Sequence, residues 1–141
     1  MGGAKGEVRI LVADASALVD VLLRTPRARS VDTTLNHPEA DLHAPALCDL
    51  EVVSALRAIL RHDLATARRA ETALRHYLDL PLTRHGHQKL VHRCFQLRNV
   101  LSPYDAAYVA LAEDLGADLV TTDLRLARTA ESLGVSCLSL F

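Results

Sequence analysis

The sequence predicts an α/β fold in which a parallel β-sheet carries helices on both of its faces. Short apolar runs alternate with longer segments of helical character along a chain of 141 residues. This alternation is typical of a parallel sheet, because the chain must cross over between successive strands. Half of the residues are hydrophobic, which favours a packed core over disorder.

Five short apolar segments are predicted to form the strands. The first is unbroken in its apolar character, as expected for a buried parallel strand, and it ends at Asp14. Gly116 and Gly134 are favourable helix stops ahead of the last two strands. The predicted strands comprise residues 8–13, 41–44, 80–83, 118–122 and 136–140.

Seven segments are predicted to be helices. Residues 47–61 are apolar on nearly every side, so this helix is expected to be largely buried, with Pro45 opening it where a missing N–H is harmless. The Thr25-Pro26 pair is expected to end the first helix. The predicted helices comprise residues 15–23, 27–36, 47–61, 64–78, 86–98, 102–115 and 124–133.

Composition narrows the classes of function. The formal net charge of −1 argues against a general polyanion-binding surface, although a local basic groove stays open. The three cysteines are far apart and lack metal-ligand spacing, so they are expected to be reduced thiols of a cytoplasmic protein. No apolar run approaches the roughly 20 residues that span a bilayer. We expect one domain over residues 1–141, with residues 1–7 as a short flexible start.

Four acidic residues that adjoin apolar stretches are the main candidates for a functional site: Asp14, Glu51, Asp105 and Asp123. Two of them end predicted strands and two lie near helix starts, so all four face the rim where the carboxyl ends of the strands meet. Carboxylates near a core cost free energy unless they are paired or bind a metal. Their convergence predicts an oxygen-rich pocket for Mg²⁺, with Mn²⁺ as a substitute, and phosphate-ester chemistry.

Most of these acids also have a structural interpretation. Asp14 and Asp123 are favourable helix N-caps, and Asp105 fits a capping box that begins at Ser102. Glu51 has no routine structural role in an apolar helix. Capping does not exclude metal binding, because a carboxylate has two oxygens and about four lone-pair sites.

Four further polar residues are weaker candidates. The hydroxyls of Ser16 and Thr121 are predicted to hydrogen-bond the acids or to hold a water bound to the metal, with ordinary helix-start roles as the alternative. Asp20 and Asp49 are expected to be solvated or paired with arginine.

The residues around the four acids form motifs. An Asp-x-Ser after a strand is present as Asp14-Ala15-Ser16, and a proline six residues before a helical glutamate is present as Pro45 and Glu51. The most specific motifs are Tyr-Asp-Ala-x-Tyr-x-Ala-Leu-Ala at residues 104–112 and Leu-Gly-Ala-x-Leu-Val-Thr-x-Asp at residues 115–123. In this order, over nearly the whole chain, they resemble the PIN domain, and specifically the VapC toxins of bacterial and archaeal toxin–antitoxin pairs.

The resemblance implies a three-layer fold with a five-stranded parallel sheet of order 3-2-1-4-5. It implies RNA cleavage that depends on Mg²⁺ or Mn²⁺, with the four acids as catalytic and metal-binding residues. It also implies a homodimer and inhibition by a VapB-type antitoxin. Single-stranded or looped RNA is the expected substrate, because exposed bases permit sequence recognition. We expect the antitoxin to bind an apolar surface near Val19, Leu22 and Leu23 and along residues 47–60.

Two other functions fit part of the pattern. A phosphoaspartate-type phosphatase or receiver-like switch would use Asp14 as its nucleophile, but no second acid stands at position 16 and no lysine follows Lys89. A non-catalytic binding module with the PIN fold would gain nothing from holding like charges together. A metal-dependent RNA cleavage assay separates the three functions.

Overall fold

The computed structural model describes residues 8–24 and 34–139, and its centre is a five-stranded parallel sheet. The strands lie in the order β3-β2-β1-β4-β5. Helices flank the sheet on both faces, so the predicted fold class and strand order are confirmed. The strands are β1 Arg9–Ala13, β2 Ala40–Pro45, β3 Leu82–His85, β4 Asp118–Thr121 and β5 Cys137–Ser139.

Six helices lie within the described ranges. None of these six is long and apolar enough to cross a membrane. Three predicted features lie outside the described residues: the start at residues 1–7, the break at Thr25-Pro26 and most of the helix over residues 27–36. The assignment of the whole chain to one domain therefore stays a prediction. The helices are α1 Ala15–Leu22, α2 Cys48–Arg61, α3 Ala67–Asp79, α4 Val91–Gln96, α5 Pro103–Leu115 and α6 Leu124–Ser132.

Helix α5 is the most deeply buried helix of the described part, and it packs against β1, β2 and β4. Its residues 106–112 are all buried, which fits a helix that is apolar on every side. Pro103 stands in the first turn, and the Ser102 hydroxyl accepts a hydrogen bond from the Asp105 N–H at 3.2 Å. The helix ends at Gly116, whose φ of 63° is in the left-handed region that favours glycine. These two caps fix Asp105 at the start of the helix.

The pairing of β1 with β4 sets the position of the rim. Ala13 is opposite Val120, and the Asp14 N–H donates to the Val120 carbonyl at 3.1 Å, so the two strands end side by side. Asp14 then caps α1 and Asp123 caps α6 through their side chains. The capping interpretation is therefore confirmed for both acids, and it fixes where they stand.

Several predicted boundaries were wrong for local reasons. Pro45 is the last residue of β2, paired with His85, and α2 begins only at Cys48. Helix α3 begins at Ala67 rather than at residue 64, because the Thr66 hydroxyl accepts the Arg69 N–H and caps the helix there. Strand β3 starts two residues later than predicted. The predicted helix over residues 86–98 is reduced to α4.

Helix α2 is not largely buried, contrary to the prediction. Only Cys48, Val52 and Leu56 of this helix are buried, whereas Leu50 is 75% exposed and Val53 is 46% exposed. The helix packs on α1 and α3. Its apolar residues therefore exceed what the described ranges of the chain cover.

Candidate active site

The four acids line one cavity at the carboxyl ends of the strands. The cavity has a volume of about 330 Å³, and its wall includes Asp14, Glu51, Asp105 and Asp123. They come from the ends of β1 and β4 and from the first turns of α2 and α5. The structure thus brings together side chains that are up to 109 positions apart, from residue 14 to residue 123.

Asp14 is the most enclosed of these carboxylates, with only 5% of its surface exposed. Its Oδ1 accepts the Ser16 hydroxyl at 2.7 Å and the Ala17 N–H at 3.0 Å, while its Oδ2 accepts the Thr121 hydroxyl. Burial raises the pKa of Asp14 to about 6 although these three hydrogen bonds lower it, and the nearby Asp123 adds to the rise. An ionised Asp14 is therefore costly in this position without a positive partner.

The hydroxyls of Ser16 and Thr121 connect the acids of neighbouring elements. The Thr121 oxygen also accepts the Asp123 N–H at 2.9 Å, and the Ser16 oxygen accepts the Thr122 N–H at 3.3 Å. Both hydroxyls were predicted to hydrogen-bond the acids, and both donate to Asp14. These contacts set the orientation of a site acid, as supporting groups around metal ligands do.

Glu51 is held by a tyrosine that the sequence reasoning did not single out. The Tyr108 hydroxyl donates to Glu51 Oε1 at 2.7 Å, and the Tyr108 side chain is buried. Burial raises the pKa of Glu51, the Tyr108 hydrogen bond opposes that rise, and the charge of Asp105 adds to it. The available signal was the position of Tyr108, three residues after Asp105 and therefore on the same side of α5.

Asp105 and Asp123 complete the wall. Asp123 Oδ1 accepts the backbone N–H groups of Arg125 and Leu126 at 3.0 and 3.2 Å, which is how it caps α6. Burial raises the pKa of Asp105, the charge of Asp123 raises it further, and Arg125 lowers it from 3.6 Å away. Mutual repulsion between the acids is therefore a direct property of this cavity.

The donor set fits a hard divalent cation, because it consists of carboxylate oxygens, the ligands that such ions prefer. Burial is the main cause of the raised pKa values of Asp14, Glu51 and Asp105, and neighbouring acids add to each rise. In residues 8–24 and 34–139 no three His, Cys, Asp or Glu side chains already stand as a set of metal ligands. The hydrogen bonds described above occupy several of the carboxylate oxygens, so metal binding requires their remaining lone pairs or a rotation of the side chains.

Two other acids behave as predicted or lie beside the site. Asp49 is not among the residues that line the cavity. It accepts the Arg84 Nε–H at 2.7 Å and the Tyr77 hydroxyl at 2.6 Å, so its prediction as an arginine partner is confirmed. Asp20 lines a second cavity of about 620 Å³, which adjoins the first because Ser16 and Asp123 line both.

Comparisons with known proteins give the family. The PIN domain family model matches residues 11–132. Ribonuclease VapC3 of Mycobacterium tuberculosis is 43% identical over 119 residues, which are 84% of this chain and 85% of that protein. The chain therefore belongs to the PIN domain family and, within it, to the VapC group.

Solved structures share the fold of this chain. The crystal structure of PAE2754 from Pyrobaculum aerophilum superposes with a TM-score of 0.63 at 26% identity, and covers 92% of this chain and 90% of its own. That of VapBC2 from Rickettsia felis, bound to a DNA fragment from its promoter, gives a TM-score of 0.62 at 14% identity, with coverage of 84% and 92%. At that identity the second likeness shows the shared fold alone.

Proposed function

We propose that this chain is the toxin of a type II toxin–antitoxin pair, a ribonuclease that hydrolyses RNA phosphodiester bonds with Mg²⁺ or, in its place, Mn²⁺. The observation that carries the proposal is the single cavity lined by Asp14, Glu51, Asp105 and Asp123 in a PIN domain similar to ribonuclease VapC3. Carboxylates that are held close together destabilise the folded state. Metal-dependent phosphate chemistry would explain why the fold nevertheless holds four of them in one cavity.

The four acids would hold the divalent ion. When bound, such an ion supplies a water of lowered pKa and positive charge against the phosphate. The chain's own contribution is orientation. Ser16 and Thr121 fix both oxygens of Asp14, and Tyr108 fixes one oxygen of Glu51, so these carboxylates are already directed before substrate arrives.

The substrate proposed is single-stranded or looped RNA, whose exposed bases can be read. The second cavity beside the acids gives such a strand room to continue past the cleaved bond. A homodimer and a cytoplasmic location belong to the same proposal, and the mass of the purified protein in solution tests the dimer.

The proposed inhibitor is a VapB-type antitoxin, since VapBC2, which shares the fold, is a complex by its name. Of the three residues expected to mark a further part of the antitoxin surface, Val19 and Leu23 are buried, which contradicts the expectation for these two. Leu22 is partly exposed, so for this residue the expectation stays a proposal. The expectation along α2 stays a proposal, and the groove between α2 and α3 supports it. This groove has a volume of about 300 Å³ and its lining is largely apolar; it includes Val53, Leu56, Leu60, Ala70 and Leu74.

The deciding experiment uses protein purified without its neighbour gene's product and a mixed-sequence single-stranded RNA. Cleavage is expected in Mg²⁺, abolition in EDTA, and recovery on adding Mn²⁺. Divalent ions at neutral pH should also raise the melting temperature, because they bind the folded state and offset its clustered charges. Undiminished cleavage in EDTA would contradict metal dependence, and absence of cleavage in any condition would contradict the proposed nuclease. Sequencing the RNA ends then gives the target.

A further inference from the structure

Arg125 stands beside the acidic cavity with most of its side chain in solvent. Its Nη2 lies 3.6 Å from Oδ2 of Asp105, and its side chain is 81% exposed. Other arginine ion pairs in the described ranges join acids outside the cavity, such as Arg84 with Asp49 and Arg93 with Glu113. Arg125 thus differs from them in holding an acid that lines the proposed active site.

The backbone of Arg125 is anchored while its guanidinium group is not. Its N–H donates to Asp123 Oδ1 at 3.0 Å in the first turn of α6, so a second site acid fixes where the residue starts. The ion pair with Asp105 is long and solvent-exposed, and such pairs are weak. The guanidinium group can therefore leave Asp105 at little cost and stay within reach of the cavity.

We propose that Arg125 is a substrate-binding residue whose guanidinium group moves from Asp105 to the non-bridging oxygens of an RNA phosphate at the cavity. This inference rests on the proposed ribonuclease function. A guanidinium group binds a phosphate through two parallel hydrogen bonds, a geometry that its present contact with Asp105 lacks. When Asp105 helps to hold a divalent ion, its charge is offset, and its attraction for Arg125 falls. Arg125 is then free to bind the RNA phosphate once the divalent ion occupies the site.

A binding experiment in an Asp105→Asn background separates this role from simple charge compensation. That background lacks the ion pair, so any further effect of Arg125→Ala comes from RNA itself. The probe is a labelled single-stranded RNA oligonucleotide, and its Kd is measured over a range of salt concentrations. We expect Arg125→Ala to weaken binding roughly tenfold at moderate salt. The slope of log K against log salt should become shallower by about 0.7, the value for one lost contact to a single strand.

Two further variants serve as controls. Arg128→Ala removes another exposed arginine of α6 and should leave both Kd and salt slope nearly unchanged. Arg125→Lys should keep the salt slope but recover only part of the affinity, because lysine keeps the charge without the two-pronged geometry. Melting temperatures equal to that of the parent variant verify folding.

The proposal is overturned if Arg125→Ala leaves Kd and slope unchanged in the Asp105→Asn background, or if Arg128→Ala weakens binding equally. These outcomes are distinct from failure of the proposed function. That function is tested by the loss of RNA cleavage in Asp105→Asn itself, whereas the role of Arg125 is measured by binding alone.

Discussion

The Thr121 hydroxyl at the end of β4 donates a hydrogen bond to Oδ2 of Asp14 at the end of β1. The Thr121 hydroxyl oxygen also accepts the backbone N–H of Asp123, so one uncharged side chain contacts both acids. Because β1 and β4 are neighbours in the sheet, the pairing of the two strands directly sets the separation of the two carboxylates. The positions of Asp14 and Asp123 therefore depend on the pairing of these two strands.

Asp14→Asn and Asp105→Asn should each lower RNA cleavage by orders of magnitude and leave the fold intact. The amide cannot supply the negative charge that a divalent ion requires, and at Asp14 it keeps one oxygen to accept the Ser16 and Ala17 hydrogen bonds. Cleavage is measured at matched Mg²⁺ concentration, and melting temperature verifies folding. Asp49→Asn, which changes an acid outside the cavity, is the matched control for charge. Near-normal cleavage by either site variant would remove that residue from the mechanism.

Stability without divalent ions should fall as pH rises through the range in which Asp14 titrates. Its pKa is about 6 when folded and 3.8 ordinarily, so the folded state binds the proton more tightly. The resulting stability is fully present below about pH 4 and is lost by about pH 6 to 7, a change of at most about 3 kcal/mol.

Urea unfolding of the parent protein and of Asp14→Asn at several pH values measures this effect as the difference between the two curves. Saturating Mg²⁺ should remove most of the difference, because the ion compensates the ionised carboxylate. Parallel curves between pH 4 and pH 7 in the absence of Mg²⁺ would show that Asp14 ionises as easily in the folded chain as in the unfolded one.

Tyr108→Phe should reduce cleavage roughly tenfold, since groups that orient metal ligands contribute about that much. The hydrogen bond from Tyr108 lowers the pKa of Glu51, so its loss should shift the acidic limb of the pH–rate profile to higher pH. We expect about 1 kcal/mol of stability to be lost with the buried hydrogen bond.

Tyr104→Phe is the control for this prediction, because it removes a hydroxyl from an exposed tyrosine of the same helix. A Tyr108→Phe profile that superimposes on that of Tyr104→Phe would mean that the contact with Glu51 has no role in catalysis.

Val53→Glu should abolish a stable complex with the antitoxin while sparing RNA cleavage. Val53 lines the apolar groove between α2 and α3 and is exposed, so a charge there disrupts a partner and not the core. Co-purification with the neighbouring gene's product measures the complex. Leu64→Glu changes an exposed leucine outside the groove lining, and this variant should bind the antitoxin normally. A Val53→Glu protein that still co-purifies stoichiometrically would place the antitoxin elsewhere.

Residues with a strong local signal could be predicted from the sequence. Asp14 and Asp123 follow buried strands and also cap helices, so two independent patterns indicate the same positions. The motifs around Asp105 and Asp123 then identify the family, and the strand order follows from it.

Features that depend on packing between distant segments could not be predicted. The helical pattern of α2 shows that many of its residues are apolar but not which side finds a partner, and so Leu50 was wrongly expected to be buried. Pro45 is compatible with a helix start and a strand end alike, and only its pairing with β3 decides between them. The contact between Tyr108 and Glu51 joins residues 57 positions apart; the spacing from Asp105 places Tyr108 on the same side of α5 as that acid but does not identify Glu51 as its partner.

The position of β4 beside β1 also has a consequence during protein synthesis. A ribosome that has made only the first hundred residues has produced the first three strands but neither Asp105 nor Asp123. Strand β1 of the nascent chain then lies at the edge of an incomplete sheet, because its neighbour β4 is among the last segments translated. A chain that terminates at that point lacks two of the four acids of the cavity, so under the proposed function it would not cleave RNA.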